Sequence, residues 1–266
     1  LLGFKVLAEV HNLGEKVDLK KVRLKPSFLN RTGIFLATKL ILSAHNVVVT
    51  VKSYVDYLSQ RYGHNDVMYI PHGTFSTRCS YVDPDEKVIL MFGHMGPYKG
   101  LPVMFEAFKE LKAEGKTVKL IIAGTSHPNY PNFLDQSINA GIPDVEFLGY
   151  VSEDNLEQLF VHADVVVLPY STTTGTSGVF HLAAGFGRPI VASSLPEIKE
   201  LVADGAAAML VPPGDVTALK AALVTVLGDE KLACAMSEQN LRFANQESWS
   251  VVAQAYENAY LRLVHS

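Results

Sequence analysis

The 266-residue chain has little cysteine: Cys79 and Cys234 are its two thiols. Two cysteines cannot build a disulfide framework, and their separation does not match a metal-binding pair. A reducing, cytoplasmic setting is therefore expected. Long apolar runs are also missing. The longest candidate, residues 34–43, is broken by Thr38 and Lys39 and falls short of the ~18 residues that span a bilayer. Charge is modest, with a formal net of −4. That excludes recognition of nucleic acid by a strongly basic surface, and no nucleic-acid partner is expected. The N-terminus lacks the layout of a secretory signal. There are no short-period repeats and no low-complexity tracts.

What the chain does have is a sizeable apolar content, 48%, and a regular alternation of element signals. From residue 86, short apolar runs stand at 88–92, 118–123, 145–148, 165–168, 190–192 and 207–211. Helix-period segments separate them at 102–114, 133–140, 153–162, 179–186, 196–203 and 216–227. Strands buried on both faces read as continuous apolar runs, and parallel strands need crossovers of about a dozen residues. The pattern predicts a doubly wound parallel sheet. Ser152 before Glu153 and Asp154, and Gly214-Asp215, read as helix starts. Gly115 and Gly141 read as helix ends.

Residues 1–70 carry a smaller unit of the same kind. Strands are expected at 4–10, 47–51 and 67–70, and helices at 33–44 and 55–62. Pro71-His72-Gly73 closes the unit as a hinge. The chain opens with Leu1 and runs almost at once into a strand. This suggests that it begins partway through a larger protein. The expected division is a remainder of an N-terminal Rossmann-like domain at 1–75, a linker at 76–85, a C-terminal Rossmann-like domain at 86–245, and a terminal helical segment at 246–266.

Two loops carry chemistry. Phe92-Gly93-His94-Met95-Gly96-Pro97-Tyr98-Lys99-Gly100 follows a strand and precedes a helix. Gly93 and Gly96 let a ligand approach the backbone, and amides at a helix start attract anions. Lys99 adds a point charge suited to phosphate. Thr172-Thr173-Thr174-Gly175-Thr176-Ser177-Gly178-Val179 forms a second small, polar loop before a helix. Either loop alone could be an ordinary turn with a solvated side chain. Two of them at the carboxyl ends of parallel strands favour a ligand site, because ligands bind at that edge of open sheets.

Four segments in series carry a family resemblance: FGHMGPYKG, VEFLGYVSEDNLEQLFVHADVVVLPY, SGVFHLAAGFGRPIVASSLPEIKELV and MLVPPGDVTALKAAL. Together, over residues 86–228, they resemble the C-terminal domain of retaining glycosyltransferases of family 4, which have the GT-B fold. The resemblance implies an α/β architecture of two Rossmann-like domains, the N-terminal one incomplete in this chain, with a nucleotide-sugar donor in the cleft. It implies that the last helix, around 249–264, returns to the N-terminal domain. By analogy, Lys99 contacts the donor diphosphate. Tyr150 and Val151 hold the base through backbone groups, and amides near Ser177, Gly178 and Val179 hold the distal phosphate. Similar enzymes retain anomeric configuration without a metal ion, so no cofactor is expected. His11, at the end of the first strand, stands where similar enzymes place a His facing the transferred sugar. Its other reading is a loop His.

The sequence also departs from the family pattern. An Arg usually follows the first Gly of the first motif; here it is His94. Two glutamates eight residues apart are usual, and their positions fall on Thr174 and Leu182. Neither can act as a carboxylate. Glu197 is the nearest remaining acid, read as a helix cap or a donor contact, with the cap preferred. His181 is read as half-buried and structural, and His127 as an ordinary loop residue.

Residues 16–39 hold seven basic side chains, Lys16, Lys20, Lys21, Arg23, Lys25, Arg31 and Lys39, against Asp18 alone. That composition suits an anionic membrane surface or a lipid-diphosphate acceptor, or else a solvated loop. The expected function is transfer of a sugar from a nucleoside diphosphate, UDP favoured and UDP-glucose first, to a glycan or lipid-linked acceptor. The expected place is the cytoplasm, or the inner face of a membrane. A GDP-mannose-dependent mannosyltransferase, an epimerase and a non-catalytic nucleotide-sugar-binding subunit are the rivals.

Overall fold

The computed structural model describes residues 4–22, 24–77, 86–139, 141–173 and 175–265. In the N-terminal part, β1 (Leu7–Val10), α1 (Phe28–Ile41), β2 (Asn46–Val49), α2 (Ser53–Tyr62) and β3 (Val67–Tyr69) alternate. The three strands pair in parallel in the order β1-β2-β3, with Val10 beside Val49 and Val49 beside Tyr69. The C-terminal part continues with β4 (Lys87–Phe92), α3 (Leu101–Ala113), β5 (Val118–Ala123), α4 (Asp135–Asn139), β6 (Val145–Gly149), α5 (Glu153–Val161), β7 (Val165–Leu168), α6 (Gly178–Gly185), β8 (Ile190–Ser193), α7 (Pro196–Ala203), β9 (Met209–Val211), α8 (Val216–Gly228), α9 (Glu230–Gln246) and α10 (Trp249–His265). Its six parallel strands run β6-β5-β4-β7-β8-β9. This is the doubly wound order of a Rossmann-like sheet.

Alternation along the strands divides the core. Ile89 and Met91 face one layer with Phe108, Leu120, Ile122 and Leu223. Leu90 faces the other with Val166, Leu168, Phe160 and Phe180. Burial on both faces explains why these strands read as unbroken apolar runs.

Several boundaries differ from the sequence expectation for local reasons. Helix α1 starts at Phe28 rather than 33, because the Ser27 side chain accepts the Asn30 N–H at 3.2 Å. The strand expected at 207–211 begins at Met209, since the Ala207 N–H is taken by Asn240 Oδ1 at 2.7 Å. The helix expected at 133–140 is the short α4. Ser152 stands at the start of α5, but its Oγ accepts from the Asn155 side chain and not from a backbone amide. Asp215 does cap α8, accepting the Ala218 N–H at 2.9 Å. From residue 78 the expected linker, with Cys79, lies outside the described residues, as does Arg23.

The two parts are clasped where residues 72–77 meet the bend between α9 and α10. Thr74 donates its N–H to the Glu247 carbonyl at 2.9 Å and accepts the Trp249 N–H at 3.2 Å. Its hydroxyl donates to the Ala244 carbonyl. Gly73 permits this approach: a Cβ there would lie 2.3 Å from the Trp249 ring. Beyond the bend, α10 lies on the N-terminal sheet, with Val252 and Ala259 against Val48 and Ile70.

Asn240 ties α9 to the sheet. Besides accepting from Ala207, its amide donates to the carbonyls of Arg188 at 2.9 Å and Ala207 at 3.0 Å. It is fully buried, so nothing replaces these bonds if the side chain is removed. Asn240→Ala is expected to destabilise the protein by about 2–4 kcal/mol in urea unfolding, because a buried backbone amide is left unpaired.

Candidate active site

In this strand order the connections diverge between β4 and β7, and a crevice opens at the carboxyl ends of those strands. Both chemistry-bearing loops lie there. They are joined by the Ser171 N–H donating to the Tyr98 carbonyl at 2.9 Å. Between them is a cavity of about 400 Å³. Gly93, His94, Tyr98 and Lys99 line it from the first loop; Ser177, Gly178, Val179 and Leu182 line it from the second. Phe92, His127 and Thr176 complete it.

Lys99 is the central charge. Only 9% of its surface is exposed, yet it has no carboxylate partner among the described residues. Its ammonium donates to the Tyr170 hydroxyl at 2.7 Å and sits 4.0 Å from the centre of the same ring. A cation so far removed from water is costly unless an anion joins it. Opposite is the start of α6. The Ser177 side chain accepts the Phe180 N–H at 3.3 Å. The first amides of α6, at Gly178 and Val179, have no partner within the helix, and the helix dipole favours an anion in front of them. Arrangements of this kind hold phosphate oxygens.

The structure thus brings His94, Lys99, Ser177, Gly178, Val179 and Leu182 to one cavity. The other candidates lie elsewhere. Gly96 is buried beside the cavity, and a Cβ on it would meet Tyr98 at 3.2 Å. Tyr150 is 77% exposed at the end of β6, and Val151 packs on the core layer under that edge. Thr174 lies outside the described residues. Gly175 sits at the domain contact with φ +77°, where a Cβ would stand 2.0 Å from the His11 carbonyl oxygen. His11 therefore reaches the cleft through its backbone, while its ring lies 3.2 Å from Glu9 Oε1 and is largely exposed.

Glu197 is buried in the first turn of α7. It lines a neighbouring cavity of about 270 Å³ with Lys16, Lys21 and Tyr54. The basic stretch is likewise drawn into the cleft. Lys21 donates to the Ser171 carbonyl, the Asp18 N–H donates to Thr172 Oγ1, and Tyr130 donates to the Val22 carbonyl. Sequence reasoning missed His127 and Tyr170 as site residues. Tyr170 follows Pro169 at a strand end, which is a usable signal; the position of His127 depends on loop pairing.

Beside the cavity, three groups stack at the clasp. His181 is 1% exposed, rather than half-buried. Its ring stacks on His72 at 4.9 Å and on Phe243 at 5.9 Å. Burial, then the neighbouring His72, pushes its pKa down to about 3. Burial, then Asp204, lifts the Glu247 carboxyl to about 7. His181 Nδ1 and Glu247 Oε2 are 3.5 Å apart, within range of an ion pair. Both shifts oppose charge, and neither atom has a hydrogen-bond partner. Below about pH 7 the pair is therefore neutral imidazole and neutral acid, with His181 Nε2 bonded to Thr176 Oγ1 at 2.9 Å.

Fold and site together define a two-domain α/β protein of the GT-B type, with a cavity lined by Lys99 and the start of α6 at the switch point of its C-terminal sheet. Residues 86–229 match the family model described as glycosyl transferases group 1, and the chain belongs to that family. Among its relatives is the phosphatidyl-myo-inositol mannosyltransferase of Mycolicibacterium smegmatis, 27% identical over 175 residues, covering 65% of this chain and 45% of the relative. Another is the alpha-D-kanosaminyltransferase of Streptomyces kanamyceticus, 29% identical over 156 residues, covering 58% of this chain and 40% of the relative. The chain spans about half the length of the curated relatives it matches. Similar solved structures include sucrose-phosphate synthase from Thermosynechococcus elongatus, with TM-score 0.80 and 24% identity over 98% of this chain and 68% of that one. Anabaena HepE in complex with UDP-glucose has TM-score 0.79 and 19% identity, over 97% and 72% of the two chains.

The neutral pair generates a pH prediction. The raised Glu247 contributes stability in full below about pH 4.5, and the contribution is lost as pH rises to about 7. The lowered His181 contributes above about pH 6.5 and loses this toward pH 3. Glu247→Gln removes the first effect only. Relative to wild type, the variant should gain about 2–3 kcal/mol between pH 4.5 and 7 in urea unfolding. A difference that does not change with pH contradicts the neutral assignment.

Proposed function

We propose that this chain carries the donor side of a nucleotide-sugar-dependent hexosyltransferase. The observation that carries the reading is the buried Lys99 ammonium, without a carboxylate partner among the described residues, facing the α6 amides across one cavity. A diphosphate supplies the missing negative charge. In the reaction the bond from the sugar's anomeric carbon to the diphosphate oxygen breaks, and the electron pair leaves with the diphosphate. The acceptor hydroxyl oxygen bonds to that carbon, and its proton passes to the released phosphate. Lys99 and the α6 amides stabilise the leaving charge, and preorganised groups of this kind are usually the largest catalytic contribution. Retention of configuration, independence from a metal ion, a base contact at Tyr150 and Val151, and a positioning role for His11 complete the proposal.

A UDP-sugar is favoured, supported by the likeness to HepE, whose structure was solved with UDP-glucose. GDP-mannose is next, supported by the mannosyltransferase relative. A non-catalytic nucleotide-sugar-binding subunit is the second reading. Its support is Leu182, an apolar residue lining the cavity where a carboxylate is usual.

The acceptor, a saccharide or lipid-linked saccharide, enters from the N-terminal side. There Lys20, Arg31 and Arg61 line a cavity of about 550 Å³. Among the described residues no helix is long and apolar enough to cross a membrane. Exposed Phe28, Leu29, Leu36 and Leu40 on α1, close in sequence to Lys25 and Lys39, support peripheral contact with an anionic membrane at its cytoplasmic face. Cosedimentation with anionic but not with neutral vesicles checks that part.

The donor site is tested by thermal shift with UDP, GDP, ADP and their common sugars. A ligand at about 100 times its Kd stabilises by ~2.7 kcal/mol, which is several degrees for a chain of this size. One nucleotide class should give that shift, and Lys99→Met should weaken it about tenfold or more in Kd. The absence of any shift with folded wild type overturns the donor-site reading. Binding without measurable transfer or donor hydrolysis favours the non-catalytic subunit.

A further inference from the structure

One polar side chain lining the donor cavity has no role in the reading above. His127 stands on the loop after β5, and that loop is pinned to the first chemistry-bearing loop by two backbone bonds. The Met95 N–H donates to the Thr125 carbonyl, and the His127 N–H donates to the Met95 carbonyl, each at 2.8 Å. The pairing extends the β4–β5 contact past the ends of the strands and fixes the His127 backbone beside the phosphate loop.

The ring is fixed as well. The Asn129 N–H donates to His127 Nδ1 at 3.1 Å. An Nδ1 that accepts carries no proton, so the imidazole holds its proton on Nε2. The ring makes edge contacts with His94 and Tyr98, at centroid distances of 6.2 and 5.9 Å, and a tilted one with Tyr130 at 5.7 Å. Tyr130 is held in turn by the Val22 carbonyl of the N-terminal part. The titratable groups facing the ring are thus His94, Lys99, Tyr98 and Tyr130, and no carboxylate among the described residues pairs with it. Burial, then His94 and Lys99, pushes its pKa below the usual value. Protonating Nδ1 would also turn the Asn129 amide and the ring into two opposed donors.

We infer that His127 is a positioning residue for the donor diphosphate: tied through Nδ1 to the Asn129 amide, it donates its Nε2–H to an oxygen of the diphosphate that Lys99 and the α6 amides hold. The inference rests on the nucleotide-sugar reading of the cavity and adds a further recognition element to it. A donor of this kind is present throughout the neutral pH range, so its contribution does not depend on titration. It also sets His127 apart from His94, the residue that replaces the family's usual Arg in the first loop.

The test compares full-length wild type with His127→Phe, which keeps a ring but no donor, and His127→Gln, whose amide nitrogen lies near the position of Nε2. Affinities for UDP, GDP and ADP, and for the matching nucleosides, are measured by calorimetry from pH 6 to 9. The expected result is a Kd for the preferred diphosphate weakened roughly 10- to 100-fold in His127→Phe, as for loss of a hydrogen bond to a charged group. Nucleoside affinity should be unchanged, His127→Gln should stay close to wild type, and the ratio should be constant with pH. If wild type binds diphosphate and His127→Phe binds it equally well, the role of His127 is overturned and the donor site stands. An effect that grows as pH falls, or a His127→Gln variant as weak as His127→Phe, overturns the fixed N–H donor. A nucleoside affinity that falls in parallel assigns His127 to the fold of the loop and overturns the role. If wild type binds no nucleoside diphosphate, the donor-site reading and this one fall together.

Discussion

The structure depends on the clasp at Thr74. Four hydrogen bonds made by this one buried residue join the segment after the N-terminal sheet to the bend between α9 and α10. The bend turns α10 back across the N-terminal sheet, where its apolar side seals Val48 and Ile70. Across the cleft the Lys52 ammonium pairs with Asp204, and the Ser53 N–H donates to Glu200 Oε2 at 3.3 Å. The His11 carbonyl comes against Gly175, and residues 17–22 reach Ser171, Thr172 and Tyr130 at the margin of the cavity. The stack of His72, His181 and Phe243, with the His181–Glu247 pair, lies beside the same clasp. Its protonation is thereby coupled to the mutual packing of the two parts rather than to chemistry in the cavity.

Within the C-terminal part, the strand order does the rest. Crossovers that diverge between β4 and β7 leave a crevice that no side chain of the core fills. The cavity is lined by what a sheet edge offers freely: backbone amides at a helix start, small residues, and one lysine. Tyr170 keeps Lys99 directed and partly desolvated through a hydrogen bond and its ring face. A desolvated cation interacts more strongly with a diphosphate than one in open water.

The alternation of strands and helices was legible because each of these strands is buried on both faces and each crossover has its own start and stop signals. The values of Val165–Leu168 and the cap at Asp215 are examples. The two loops and Lys99 were legible for the same reason, since a strand, a small-residue loop and a helix in series place amides at a sheet edge whatever follows. Errors fell where a side chain from elsewhere intervened. Asn240 shortens β9 by taking the Ala207 amide.

By itself, then, the sequence determined the order of elements, the parallel sheet, and the place of Gly93, Lys99, Ser177 and Gly178 on loops at the sheet edge, because these follow from local propensity and burial period. Tertiary structure alone decided that His127 joins the cavity, that Glu197 turns to the N-terminal side, that the basic stretch folds into the cleft, and that His181 is held uncharged. Each of these depends on which groups from distant parts of the chain surround a side chain, and desolvation and hydrogen-bond partners are properties of that surrounding rather than of the residue.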